Sequence, residues 1–285
     1  MKVLITGKGG QLGQALLNCR PQDIDLVAFD RCQFDISDSR AIENMLAHER
    51  PQLIINAAAY TAVDKAELEP ALAFSVNRDA VGQLAHAAAE MGIRFAHVST
   101  DFVFDGTSSQ PYPPEYPTAP LGVYGHSKAA GEEVARAASP DNLIVRTSWV
   151  YGTTGRNFMM TMLDLMRSQK SPKVVADQIG APTHAASLAR AIWSLAVQRA
   201  SGVHHWSDAG VASWYDFAVA IREEAVARHM VSSHVKVSPV TTAEYPTEAL
   251  RPQFSVLDKS ETWSLIGTAA HWREELRLAL DELDT

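Results

Sequence analysis

The chain has 285 residues, of which 46% are hydrophobic and 20% charged, and its formal net charge at pH 7 is −8. This composition is typical of a globular protein with a substantial core and argues against long disordered regions. The negative charge, without a dense run of Lys or Arg, disfavours nucleic acid and anionic membranes as partners. Two cysteines and ten histidines show no metal-ligand spacing, so neither a disulfide framework nor a metal site is predicted.

The apolar runs are too short for a signal peptide or a membrane span, and the predicted location is the cytosol.

In the first half, short branched or aromatic runs bounded by Gly, Pro, Asp or Asn predict strands at 3–5, 25–29, 53–56, 95–99 and 142–147. Amphipathic segments between them predict helices at 10–19, 39–49, 70–92 and 124–138. Such alternation predicts an α/β fold for residues 1–150, a doubly wound parallel sheet of the Rossmann type.

The second half is less regular. Helices are predicted at 155–169, 186–198, 214–229 and 271–283, with a loop at 176–184. We expect residues 151–285 to form mainly a smaller mixed α/β lobe that binds substrate, with possible crossovers back to the sheet. Ligands of such sheets bind at the carboxyl ends of the strands, and the lobe would close over that edge.

Three glycines, Gly7, Gly10 and Gly13, lie between the first strand and the first helix with GxxGxxG spacing. Glycines at this place let the backbone approach a pyrophosphate, which the helix start then attracts. A plain strand-to-helix turn is the alternative. Asp30 ends the second strand, where a carboxylate can accept from a ribose hydroxyl and favour NAD. Because Arg31 could meet a 2′-phosphate, NADH and NADPH both stay open.

The segment NAAAYT, residues 56–61, follows the third strand. Its alanines leave room for a flat ring or a ribose against the backbone, or simply for close helix–sheet packing. The position at a strand's carboxyl end favours the first interpretation.

Tyr124 and Lys128 are four residues apart on a predicted helix, so both face the same way. A free Tyr has a pKa of about 10 and is a poor acid–base group at neutral pH. A nearby ammonium favours the phenolate, and the pair is therefore a plausible proton donor to a carbonyl oxygen.

Seven motifs together carry a resemblance to a known family. They are TGxxGxxG, NAAAYTAVDKAE, STDFVFDG, VYGHSKAAGE, RTSWVYG, DQIGAPT and RPQFSVLD. The sequence resembles the extended short-chain dehydrogenases/reductases and, within them, the dTDP-4-dehydrorhamnose reductases. The resemblance runs from the first residue to about residue 258.

This resemblance implies reduction of the C4 ketone of a dTDP-4-keto-6-deoxy-L-hexose by NADH or NADPH, first of all dTDP-4-dehydrorhamnose to dTDP-L-rhamnose for cell-surface polysaccharide. It implies that Tyr124 donates the proton, that Lys128 holds the nicotinamide ribose and lowers the pKa of Tyr124, and that Thr100 bonds the substrate oxygen. The positions that would contact the coenzyme, besides Tyr124 and Lys128, are Gly7, Gly10, Gln11, Leu12, Gly13, Asp30, Asp35, Ile36, Ala58, Ala59, Tyr60 and Thr61.

The sugar would contact Thr100, Asp101, Phe102, Tyr124 and Trp149. Trp149 could instead be a core residue. Arg251 is a candidate for the substrate diphosphate, since a guanidinium suits phosphate oxygens, or it is an ordinary solvated Arg.

Two features depart from the family pattern. Phe102 stands where the family usually has Tyr, so the hydroxyl is missing. Some members pair around magnesium through carboxylates near the first helix, where this chain has Gln14 and Ala15, and no metal is predicted. A monomer or a homodimer is expected.

Two other functions stay open. One is an epimerase or dehydratase of the same superfamily that returns the hydride to its NAD, and the other is a non-catalytic nucleotide-binding regulatory subunit.

Overall fold

The structure is a computed structural model that describes residues 1–284. Six parallel strands form the central sheet. In chain order they are β1 (Lys2–Thr6), β2 (Asp25–Phe29), β3 (Leu53–Asn56), β4 (Arg94–Thr100), β5 (Leu143–Thr147) and β10 (Gly202–His205). Their spatial order is β10-β5-β4-β3-β1-β2. The doubly wound parallel sheet predicted from the sequence is confirmed, with each of the five predicted strands in place.

Helices cover both faces of this sheet, which is why its strands are continuous apolar runs. The helices of the chain are α1 (Gln11–Asn18), α2 (Ser39–Glu49), α3 (Val63–Leu68), α4 (Pro70–Phe74), α5 (Ala80–Glu90), α6 (Val123–Ala138), α7 (Phe158–Arg167), α8 (Ala185–Val197), α9 (Trp214–Ala227), α10 (Ser260–Ile266) and α11 (Trp272–Asp284). On one face, Leu16 of α1 and Ile192 of α8 join the core. On the other, Leu46 of α2 and Leu84 of α5 do so.

The helix predicted over 70–92 is interrupted. Between α4 and α5, Ser75–Asp79 form a turn of π-helix. Its buried residue Asn77 accepts a hydrogen bond from the backbone N–H of Tyr60 at 2.9 Å and donates to the carbonyl oxygen of Tyr60 at 3.0 Å. The π turn therefore fixes the loop after β3, in keeping with the frequent occurrence of π-bulges at functional sites.

The chain crosses back to the sheet in its second half. Strand β10 pairs with β5, and α8 packs against α1. Strand β2 lies on one side of β1, and β3 lies on the other. Such a switch in the order of parallel strands leaves a crevice at their carboxyl ends. The predicted boundary near residue 150 stays a prediction.

The smaller lobe contains α7, α9, α11 and three two-stranded ribbons. These ribbons pair β6 (Val150–Tyr151) with β9 (Thr183–His184), β7 (Lys173–Val175) with β12 (Ser238–Val240), and β8 (Ile179–Gly180) with β11 (Ala212–Ser213). The prediction of a loop at 176–184 is therefore wrong, because β8 and β9 lie within it. Two-residue strands are too short to show a period of two.

Candidate active site

The glycine loop after β1 closes tightly on itself and on the loop after β3. Gly7 has φ +75°, and a Cβ there would lie 2.7 Å from the backbone nitrogen of Ala58. Gly10 is the N-cap residue of α1, and no side chain caps this helix start. The backbone N–H groups at the start of α1 are therefore free of a side-chain cap, and such groups are suited to bind an anion.

Gly13 provides a direct test of this loop. A Cβ at this position would lie 2.2 Å from the carbonyl oxygen of Gly7, so Gly13→Ala must push α1 away from the loop. We expect dinucleotide affinity to fall about 10- to 100-fold, which corresponds to about 1–3 kcal/mol of overpacking. Fluorescence titration with NADPH measures the dinucleotide affinity. Gly82→Ala is the control, because its Cβ would meet only the side chain of Val134; equal affinity in both variants would contradict the expectation.

A cavity of about 430 Å³ lies beside this loop. It brings together eight of the predicted coenzyme residues, namely Gly7, Gly10, Asp30, Asp35, Ile36, Ala58, Ala59 and Tyr60. Gln11, Leu12, Gly13 and Thr61 are not among its walls. Gln11 instead accepts a hydrogen bond from Asn157 of the smaller lobe at 2.9 Å, and Leu12 packs into the core.

Asp30 and Arg31 both line the cavity. One carboxylate oxygen of Asp30 accepts from the backbone N–H groups of Cys32 and Gln33, at 2.9 and 3.1 Å. The exposed guanidinium of Arg31 lies 3.5 Å from the carboxylate of Asp35. Asp30 could therefore accept from a ribose hydroxyl and Arg31 could bind a 2′-phosphate. The choice between NADH and NADPH stays open.

Thr100 and Tyr124 meet where β4 ends and α6 begins. The hydroxyl of Thr100 donates to Asp101 at 3.0 Å and accepts from the backbone N–H of Phe102 at 3.2 Å. Burial, together with the charge of Asp101, raises the pKa of Tyr124 to about 12, and a hydrogen bond with Thr100 opposes this shift. Tyr124 is therefore a protonated phenol at neutral pH.

The pKa of Tyr124 is shifted in this structure by burial, Thr100 and Asp101, and the expectation that Lys128 lowers this pKa stays a prediction. The Nζ atom of Lys128 is buried and donates to the carbonyl oxygen of Val98 at 2.6 Å, and it lies 3.1 Å from Nε2 of His97. Burial lowers the pKa of Lys128 to about 8, against the opposing charge of Glu132. Although Tyr124 and Lys128 share a helix face, the ammonium is engaged with β4.

Asp101 is almost fully buried next to Thr100. Burial raises its pKa to about 6, although hydrogen bonds from Ser255 and Thr100 oppose the shift. Within residues 1–284, Oδ2 of Asp101 has no hydrogen-bond partner. A buried, unpaired oxygen costs free energy unless a ligand supplies a donor, so Asp101 is suited to bind a hydroxyl.

Phe102 packs its ring against that of Tyr124, edge to face, with centroids 5.8 Å apart. This position therefore holds the tyrosine ring by apolar contact. The missing hydroxyl leaves that packing intact.

Trp149 lies where the two lobes meet. Its backbone has φ +47°, and its ring stacks on that of Trp214 with centroids 3.6 Å apart. Gly180 lies against the ring, and a Cβ there would come within 2.6 Å of it. Trp149 is half-buried, so it packs on Trp214 and stays partly accessible to solvent.

A second cavity, of about 310 Å³, is lined by Trp214, Gln178, Tyr245 and Arg251 among others. Arg251 forms an ion pair with Asp64 at 2.8 Å and donates to the carbonyl oxygen of Ala249. Arg251 is recognisable in the sequence as a binding candidate, whereas Trp214, Gln178 and Tyr245 are not. The density of aromatic residues in WYDF was the available signal for Trp214.

Within residues 1–284, no three His, Cys, Asp or Glu side chains are grouped as metal ligands. No helix in that range is long and apolar enough to cross a membrane.

Comparison with known proteins agrees with this geometry. Residues 1–285 match the family described as RmlD substrate binding domain. The dTDP-4-dehydrorhamnose reductase of Aggregatibacter actinomycetemcomitans is 40% identical, over 97% of this chain and 97% of its own. The crystal structure of a dTDP-4-dehydrorhamnose reductase from Clostridium acetobutylicum superposes with a TM-score of 0.94 at 36% identity, covering all of both chains. That of the Bacillus anthracis enzyme in complex with NADP gives 0.92 at 36% identity, over 99% of both.

The parallel sheet, the glycine loop and the match along the full length lead to one conclusion: the chain belongs to the dTDP-4-dehydrorhamnose reductase family.

Proposed function

We propose that Tyr124, Thr100 and Asp101 carry out the NAD(P)H-dependent reduction of the C4 ketone of a dTDP-4-keto-6-deoxy-L-hexose, with dTDP-4-dehydrorhamnose as the first substrate to test and dTDP-L-rhamnose as its product. The product would serve cell-surface polysaccharide synthesis. The observation that carries the proposal is that Tyr124, at the start of α6, lies against the end of β4, where Phe102 packs on its ring and Thr100 forms a hydrogen bond with it. This place is at the same carboxyl edge as the cavity beside the glycine loop.

The residues around that cavity fit a nicotinamide dinucleotide. The amides at the start of α1 would hold the pyrophosphate, Asp30 a ribose, and Ala58 and Ala59 a flat ring. When bound, the coenzyme supplies the hydride, which is the chemistry that no side chain offers.

The protein's part is to manage the charge that appears on the ketone oxygen. Reduction at C4 would leave negative charge on O4, and a hydroxyl positioned to donate to O4 would stabilise that charge as it forms. Tyr124 has the right protonation state to donate, because burial and Asp101 hold its pKa near 12. The one proton of the Thr100 hydroxyl is donated to Asp101 in this structure, so Thr100 would give up that bond in order to donate to the same oxygen.

The rest of the substrate would lie toward the smaller lobe. Asp101, with its unpaired oxygen, would accept from a sugar hydroxyl, and the accessible part of Trp149 would pack on the deoxyhexose. Arg251 would meet the diphosphate after exchanging its partner Asp64 for phosphate oxygens, which a guanidinium binds in the same planar way.

Turnover tests this proposal directly. We expect the chain to oxidise NADPH or NADH in equal amount to added dTDP-4-keto-6-deoxy-L-mannose, measured as loss of absorbance. An epimerase would return the hydride and leave the absorbance unchanged. A regulatory subunit would bind NADPH without consuming it, and no consumption with either coenzyme would overturn the reductase proposal.

We propose in addition that the enzyme is cytoplasmic and that it is a monomer or a homodimer. Its free cysteines, Cys19 and Cys32, suit a reducing compartment. Sedimentation velocity of the full chain would decide between the two assemblies.

A further inference from the structure

Helix α6 carries Tyr124 and Lys128, and its own residues do not cap its N-terminus. Gly122 is the N-cap residue and lacks a side chain, and the first turn, VYGH, contains no acidic residue. The first N–H groups of a helix have no acceptor within the helix, and the positive end of its dipole favours a carboxylate. The start of α6 is therefore a place where a carboxylate from another element can bind.

Glu67 of α3 supplies that carboxylate. Its Oε1 atom accepts a hydrogen bond from the backbone N–H of Val123 at 2.8 Å. Gly122 makes room for it, because a Cβ at this position would lie 2.7 Å from the same Oε1 atom. Glu67 is half-buried, and α3 packs against α6. The side chain thus satisfies a free N–H group and places a negative charge at the positive end of the helix.

Helix α3 also contacts two other parts of the active site. It begins three residues after Tyr60, which lines the coenzyme cavity. Asp64 forms the ion pair with Arg251 at 2.8 Å, and it lies on the same face as Glu67 because the two are three residues apart on a helix. One short helix therefore links the coenzyme cavity, the segment that carries Arg251 and the start of α6.

We propose that Glu67 is a positioning residue, whose bond to Val123 fixes the first turn of α6 and thereby holds the hydroxyl of Tyr124 where it can donate a proton. The contact between Glu67 and α6 is a property of the protein alone. Its use in catalysis rests on the proposed function.

The contacts of Tyr124 show what the bond to Glu67 adds. The ring of Tyr124 packs on Phe102, and its carbonyl oxygen accepts from the hydroxyl of Ser127 at 2.8 Å. These contacts hold the ring and the backbone on the C-terminal side, whereas Glu67 holds the residue just before Tyr124. A displacement of about 1 Å at a reacting group can lower a rate about 100-fold. Loss of the bond should therefore slow catalysis while the donor hydroxyl itself is still present.

Two variants of Glu67 test the bond in catalysis. Glu67→Ala removes the acceptor, and we expect kcat to fall about 10- to 100-fold while KM for the sugar nucleotide changes little. Glu67→Gln keeps an oxygen that can accept from the N–H of Val123 and should retain most of the native kcat. Loss of NAD(P)H absorbance with dTDP-4-keto-6-deoxy-L-mannose, at saturating coenzyme, measures both constants. A native kcat in Glu67→Ala would overturn the proposal.

Asp38→Ala is the matched control for the loss of a helix cap. The carboxylate of Asp38 accepts from the backbone N–H groups of Arg40 and Ala41 at the start of α2, at 2.9 and 3.3 Å. We expect this variant to lower the urea midpoint about as much as Glu67→Ala does and to keep the native kcat. Equal losses of kcat in the two variants would show that Glu67 only stabilises the fold.

A double-mutant cycle shows whether Glu67 acts through Tyr124. In Tyr124→Phe no donor hydroxyl is left to displace, so adding Glu67→Ala should lower kcat less than about threefold further. A further loss as large as that in the native background would mean that Glu67 acts on another group, and the proposal would fail.

Amide hydrogen exchange of the full chain tests the contact without turnover. We expect faster exchange at Val123 in Glu67→Ala, near-native exchange in Glu67→Gln, and changes confined to the start of α2 in Asp38→Ala. Unchanged exchange at Val123 in Glu67→Ala would overturn the inference. Faster exchange in a chain whose native form shows no turnover would instead contradict the proposed function and leave the contact confirmed.

Discussion

Replacing Tyr124 with Phe should lower kcat by about 10²- to 10⁴-fold, the range that a positioned proton donor contributes. The ring that packs on Phe102 stays in place, with centroids 5.8 Å apart in the native chain, so the change removes the hydroxyl and little else. Because that hydroxyl acts on charge formed in the transition state, kcat should fall more than KM rises. Loss of NAD(P)H absorbance with dTDP-4-keto-6-deoxy-L-mannose measures both constants.

Tyr116→Phe is the matched control. Tyr116 is 38% exposed and its ring meets those of Phe104 and Tyr112, so it loses a hydroxyl outside the cleft. We expect native kcat from this variant. If Tyr124→Phe retained more than about a tenth of native kcat, the proton would have another source and the assignment of Tyr124 would fail.

The central sheet could be predicted because its strands have one physical signature. Helices bury both faces, so Leu4, Ile54 and Ile144 lie in apolar runs that end at glycine or polar residues. Gly7 and Gly13 were also recognisable, since their spacing follows from a backbone turn within a single loop. Both predictions depend on residues close together in the sequence.

The polar interior of the site could not be predicted, because it depends on which strands become neighbours. His97 touches Lys128 only because β4 packs beneath α6, and it touches Asn56 only because β3 pairs with β4. The pKa of Tyr124 is raised for the same reason, because the burial that raises it depends on the packing of α6 against β4. Sequence spacing places Lys128 on the same helix face as Tyr124. It does not show that the ammonium of Lys128 forms hydrogen bonds with Val98 and His97.

The smaller lobe escaped prediction for a different reason. Its strands are two or three residues long, and its packing depends on contacts such as that of Trp149 with Trp214 across the chain. Strand β10 gave no clear signal either, because GVHH contains two histidines. Its place in the sheet comes from pairing with β5 and not from its own composition.

The pair formed by Glu132 and Arg146 should be the most costly polar contact to break. Two hydrogen bonds, of 2.8 and 2.7 Å, join them, and their side chains are 0% and 2% exposed. Glu132→Ala leaves a buried guanidinium without its carboxylate, which should cost about 3–5 kcal/mol. A lower urea midpoint, followed by circular dichroism, measures the loss.

Two comparisons show whether burial is the cause. Glu223→Ala breaks the exposed pair with Arg273, whose side chains are 53% and 38% exposed, and should cost about 1 kcal/mol or less. Removing both charges in Glu132→Leu/Arg146→Met should restore most of the stability, because apolar residues of similar volume need no partner. If Glu132→Ala lost no more than Glu223→Ala, the carbonyl of Pro114 and the ring of Phe104, which also contact Arg146, would be enough to hold its charge. In that case the pair would not be what fixes α6, and with it Tyr124 and Lys128, against the sheet.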